Sequence, residues 1–163
     1  MEKDKFIVIR DTREKENNGW FFDETEFCSG TEVIGLHTGD YSIKGLEDLF
    51  IIERKASTGE FSHNTIEDRF EKELERLNSI KHAFVILEFN LSDIYLFPNN
   101  SGIPRFKWNF IKIKPQFILK RLNEFTLKYP NVKFVFVGAE AKWYVEDLMK
   151  RIFLMYKDKL CQI

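Results

Sequence analysis

Cysteine and histidine are scarce in this chain: 163 residues hold only Cys28 and Cys161, and His37, His63 and His82. Two distant thiols do not make the disulfide framework of a small secreted scaffold, and no cysteine or histidine stands at metal-ligand spacing from another. Long apolar runs are missing too. The longest are about four or five residues, against the roughly 20 that a membrane helix needs. No leader pattern opens the chain, so an intracellular setting without a membrane is expected. Net charge is almost absent as well, at −1, which taken whole argues against a partner made of phosphates. What is abundant is apolar and aromatic: 44% hydrophobic residues and 17 phenylalanines support one substantial core, and a single domain over residues 1–163 is expected.

The small net charge hides an uneven distribution. Residues 1–99 carry 12 Lys and Arg against 21 Asp and Glu, a balance of −9, whereas residues 100–163 carry 13 against 5, a balance of +8. A basic surface contributed by the second half is therefore expected, and with it a nucleic-acid partner.

Periodicity orders the elements. "KFIVIRD" (5–11) reads as a central strand that ends on charge, and "EVIGLHTGDYSI" with "LFIIERK" supplies two or three more, in an early meander punctuated by Gly39 and Gly45. Ile66, Phe70, Leu74, Leu77 and Ile80 then recur at helical spacing, with Arg69, Lys72, Glu73 and Arg76 on the other face. "HAFVILEF" (82–89) reads as a buried strand, "PNNSGIP" (98–104) as a surface loop, and Pro115 as the start of a helix stopped by Pro130. "VKFVFVG" gives another buried strand. A last helix from about Ala139 places Trp143, Leu148, Ile152 and Phe153 near one face and frays after Tyr156. This order fits an α/β fold with a mixed central sheet flanked by helices.

The charged end of "IIERK" (51–55) carries the chemistry. On a strand, Glu53 and Lys55 point to one face and Arg54 to the other. The same spacing at Glu140 and Lys142 falls in a helix, where such neighbours diverge. Asp40, in the turn "GDY", comes alongside Glu53 from the adjoining strand, and Asp11 ends the first strand beside them. Carboxylates crowded in this way repel unless a divalent cation holds them. Asp40 and Glu53 as hard oxygen ligands for Mg²⁺ or Mn²⁺, with Lys55 to orient water and offset negative charge, suit hydrolysis of a phosphodiester. The bland alternative is a strand end whose charges pair with each other or with Arg13.

The same residues resemble the XPF-type structure-specific endonucleases, a branch of the restriction-endonuclease-like nucleases with the pattern GD…ERK, three residues, Asp. Here "GDY" (39–41), "IERK" (52–55), "RDTREK" (10–15) and "EDRFEKELERL" (67–77) stand in that order over most of residues 6–157. The resemblance implies a restriction-endonuclease-like fold, a catalytic core of Asp40, Glu53 and Lys55, and Asp11, Arg13 and Glu14 as supporting or metal-proximal residues, with Arg69 at the family's arginine. Asp11 is expected among the catalytic residues, and Arg54, Glu60 and Arg69 among the supporting ones. Two positions depart from the pattern: Gly59 stands where the last Asp would fall, with Glu60 next to it, and Glu73 where Gln is common. No segment reads as the helix-hairpin-helix module that often accompanies such domains.

These features point to a metal-dependent DNA endonuclease acting on flap, fork or junction DNA, in recombination or repair. The alternative is an inactive DNA-binding or scaffolding partner of a nuclease. Arg105, Lys107, Lys112 and Lys114, interleaved with Phe106, Trp108 and Phe110, are the expected DNA track, as an extended element with its aromatics inward. Trp143, Tyr144, Phe153 and Tyr156 suggest a homodimer through the last helix.

Overall fold

The computed structural model describes residues 5–160, so Cys161 lies outside the described residues. Strands β1 (Phe6–Arg10), β2 (Cys28–Val33), β3 (Tyr41–Ile43), β4 (Phe50–Lys55), β5 (His82–Leu87) and β6 (Val132–Phe136) form one mixed sheet in the order β2-β1-β3-β4-β5-β6. Strand β1 is parallel to β2 and antiparallel to β3, β3 is antiparallel to β4, and β4, β5 and β6 run parallel. The expected meander therefore holds only for β1, β3 and β4. The loop after Arg10 returns β2 to the outer side of β1 in the same direction.

Alternation along the central strands divides the apolar residues between two cores. Phe50 and Ile52 of β4, with Phe84 and Ile86 of β5, face the helix α5 (Ala141–Leu160), whose Val145, Met149, Ile152 and Phe153 are buried there. Each such burial contributes roughly 1.5–3 kcal/mol. Ile51, Ala83, Val85 and Leu87 face the other way, toward helices α1 (Thr58–Asn64), α2 (Asp68–Asn78) and α4 (Pro115–Lys128), which contribute Phe61, Phe70, Leu74, Ile118, Leu122 and Phe125. The residues of β4 that continue the row of Ile51 are Glu53 and Lys55, so the charged pair points to the α1 and α2 side. A short helix α3 (Leu91–Tyr95) precedes the loop read at 98–104.

Several details differ from the expectation. Ile66 is exposed and α2 begins after it, because the separate helix α1 and its turn occupy residues 58–67. Strand β6 forms a sheet edge, and its residues after Val132 are exposed or half-buried. Trp143 is 76% exposed, since the buried stripe of α5 runs through Ala141, Val145 and Met149 instead. Phe153 is in the core and Tyr156 meets His82 through a 2.7 Å hydrogen bond, which leaves Trp143 and Tyr144 as the exposed aromatics of this helix. The helix persists through Leu160 rather than fraying after Tyr156.

Candidate active site

Gly39 sets the geometry. Its φ of +74° and the contact that any Cβ would make with Ile51 Cγ2 leave room for glycine alone. The tight approach lets the Asp40 amide donate to Ile52 O at 2.8 Å, and Asp40 Oδ2 accepts from the Arg54 amide at 2.7 Å. The carboxylate is thereby held beside Glu53. On the same face Lys55 Nζ donates to Glu53 Oε1 at 2.6 Å and lies 4.8 Å above the Phe70 ring of α2. Glu53 Oε2 is buried and has no hydrogen-bond partner. Arg54, on the opposite face as alternation requires, bridges Glu14 Oε1 (3.3 Å) and Glu88 Oε2 (2.6 Å) and packs against Trp20.

Asp40, Glu53 and Lys55 line a cleft of about 510 Å³ whose rim includes Arg13, Arg69 and Glu73. Burial pushes Asp40 up to about 7, helped by the Glu14 and Glu73 carboxylates. Burial likewise raises Glu53 well above the usual carboxylate range, with Asp40 and Glu73 adding to it. Burial alone would lower Lys55, but the Glu53 carboxylate outweighs it and raises the ammonium above its ordinary value. Among the described residues no trio of His, Cys, Asp or Glu is arranged to hold a metal ion. The pair Asp40 and Glu53, with Oε2 unpaired, still fits Mg²⁺, which takes one or two protein carboxylates and fills its other positions with water and phosphate oxygens.

The family model of the ERCC4 domain matches residues 10–142. The chain belongs to the ERCC4-domain family. A solved structure similar to it is XPF from Aeropyrum pernix, at 17% identity and a TM-score of 0.59, with 90% of this chain and 60% of that chain covered. The chain thus spans less than two thirds of that protein's length, and the likeness is one of fold. No protein of curated function matches it by sequence. The resemblance to an XPF-type nuclease domain read from the motifs is borne out, and with it membership of a family of structure-specific nucleases.

Within this ERCC4 domain, Asp11 stands beside Asp40 as the sequence placed it, its amide donating to Asp40 O at 2.8 Å, but its carboxylate is already engaged. Its Oδ1 accepts from the Arg13 amide (2.9 Å) and Arg13 Nε (2.6 Å), and its Oδ2 from the Leu36 amide. Burial would raise Asp11, yet these donors hold it below its ordinary value. It does not line the cleft, because both oxygens are turned toward Arg13 and the 34–36 segment. The further acid at the site is Glu73, on the charged face of α2 and at the position where the motif commonly has Gln. Its position four residues after Arg69, one helical turn away, was the available signal. Glu60 Oε2 accepts from the Ala56 amide at 2.9 Å, while the Glu60 amide donates to Ser57 Oγ, so this residue caps α1 at the rim of the cleft. Gly59 has no room for a side chain: a Cβ there would run into Ser101 O and Ile103. Residues Arg105–Phe110 form a 3₁₀ helix and not an extended element, with Phe106 and Phe110 outward. The expected alternation survives only from Ile111 to Lys114, where the isoleucines are half-buried and the lysines exposed.

Proposed function

We propose that this ERCC4 domain is a divalent-metal-dependent endonuclease that hydrolyses phosphodiester bonds of branched DNA, in recombination or repair inside the cell. The observation that carries the reading is the state of Glu53: a buried carboxylate in the wall of the cleft with one oxygen fixed by Lys55, the other without a hydrogen-bond partner, and a second acid beside it. A divalent cation held by Asp40 and Glu53 would polarise the scissile phosphate and offset the charge that builds during attack by water. Lys55, anchored on Glu53 Oε1, keeps its other N–H donors for that charge and for orienting the water. Arg13, aligned by Asp11, and Arg69 on α2 stand at the rim as phosphate-gathering cations. Arg54, tied to Glu14 and Glu88, fixes the backbone amide that holds Asp40. Arg105, Lys107, Lys112 and Lys114 supply the DNA track.

Pairing of two copies through α5 belongs to the same reading, and the exposed Trp143, Tyr144, Leu154 and Met155 support it.

Incubation with linear, flapped, forked and four-way DNA tests the activity. Cutting is expected with Mg²⁺, and at least as well with Mn²⁺, and should disappear in EDTA. Cleavage undiminished by EDTA would remove the metal-dependent mechanism.

A further inference from the structure

The turn at Arg105–Phe110 leaves Phe106 74% and Phe110 81% exposed. Two phenylalanines left in water forgo the burial that places most of this chain's apolar residues in its cores. Trp108, between them, faces back and donates its indole N–H to Ile103 O at 2.9 Å, which pins the turn. Beyond it, Ile111 and Ile113 pack toward the α1, α2 and α4 core while Lys112 and Lys114 remain exposed.

The charge around these rings has one sign. Residues 94–123 contain six Lys and Arg and no Asp or Glu. Lys120 and Arg121 are drawn to Glu124 and Glu71, whereas Arg105, Lys107, Lys112 and Lys114 enter no ion pair among the described residues. Lys107 Nζ lies 5.8 Å from the Phe106 ring and Arg105 5.9 Å from Trp108, so cations and aromatic faces are side by side. Such a surface complements a polyanion that also carries exposed planar apolar groups. A duplex offers phosphates but keeps its base faces stacked, which leaves both rings unused. An unpaired strand offers both.

We infer that Phe106 and Phe110 form a stacking platform for the unpaired bases of single-stranded DNA, with Arg105, Lys107, Lys112 and Lys114 holding its phosphates. The choice of DNA, and the role of the platform in seating the single-stranded arm of a branched substrate, rest on the nuclease reading above. The segment that leads into the platform packs on α1, whose Glu60 and Asn64 line the cleft. Ser101 O accepts from the Gly59 amide at 3.1 Å, Ile103 packs on the same residue, and Gly59 stands four positions after Lys55.

The test is a binding titration in EDTA, so that no cutting intervenes, with fluorescein-labelled oligothymidylate and a blunt duplex as probes. F106A/F110A is expected to bind the single strand about ten- to a hundredfold more weakly, with an unchanged salt slope and unchanged duplex binding. Neutralising Lys107, Lys112 and Lys114 to Gln should instead flatten the salt slope on both probes. F110W should retain binding and add a tryptophan signal that the oligonucleotide quenches. Wild-type affinity of F106A/F110A for the single strand overturns the proposal. So does equal loss on both probes, or a change in sedimentation without a change in DNA binding, which would assign the rings to a second protein chain. A wild-type protein that binds the oligonucleotide in EDTA yet cuts no DNA with Mg²⁺ or Mn²⁺ keeps the platform and loses the nuclease.

Discussion

Asp11 and Glu53 are buried to nearly the same degree, at 1% and 4% exposure, and both stand at the ends of strands in one sheet. Their states are opposite. Asp11 has three donors on its two oxygens and is held below its ordinary pKa, as expected of a carboxylate that organises a loop. Glu53 has one donor, an orphaned oxygen and two acids nearby, and is raised well above the carboxylate range. Low exposure alone therefore does not mark the reactive acid. How deep each carboxylate lies and how many donors it has been given do so together.

The largest expected effect separates these acids outright. Glu53→Gln should lose both Mn²⁺ binding and cleavage, since an uncharged amide is a poor ligand for a hard cation, while its folding stability is kept or raised by removal of a crowded buried charge. Calorimetric titration beside a cleavage assay measures both; Mn²⁺ binding at the wild-type level would make Glu53 a second Asp11. Lys55→Ala comes next. It should cut about a hundred- to a thousandfold more slowly with Mn²⁺ affinity intact or higher, because a stabilising cation has gone and the carboxylates have not. Cutting at the wild-type rate would leave "IIERK" as an ordinary strand end.

Asp11→Ala is expected to show the reverse pattern, a loss of about 1–3 kcal/mol in urea denaturation from the donors it strands, without loss of Mn²⁺ binding. Should stability stay level while Mn²⁺ binding falls, the contrast drawn between the two acids would collapse.

The smallest effect is on pH dependence. Asp40 and Glu53 hold protons more tightly folded than unfolded, so their contribution to stability is present at low pH and is lost as pH rises toward and through about 7 for Asp40. Asp11 has the opposite sign, and its contribution is lost only as pH falls below the ordinary carboxylate range. In EDTA the thermal midpoint should therefore decline from about pH 5 to about pH 8, and Mn²⁺ should flatten that decline. A midpoint that rises over the same interval in EDTA would mean that the cluster is not crowded.

Much of this was legible in the chain itself. Strand alternation placed Glu53 and Lys55 on one face, and the "GDY" turn brought Asp40 to them, because both follow from backbone geometry over a few residues. Donor assignment was not legible. That Arg13 and the Leu36 amide would claim Asp11 depends on how the loop after β1 folds back, which no local pattern encodes. Glu73 was hidden for a related reason: helical spacing gives a face, and only tertiary packing says whether solvent or a cleft lies opposite it. The aromatic alternation at 105–114 misled since period two fits both a strand and a turn that leads into one.

The contact between Gly59 and the 101–103 segment closes a route that point mutation would otherwise offer. Restoring the acid that XPF-type motifs place at this position takes more than exchanging one residue, because the backbone carbonyl of Ser101 and the side chain of Ile103 already fill the space. The loop has to withdraw first, and withdrawal would also release the Ile103 carbonyl that holds Trp108. Position 59 and the loop are thus epistatic: the order in which changes arrive decides whether a fourth carboxylate can be accommodated, and a chain with this loop in place must work with the acids it has.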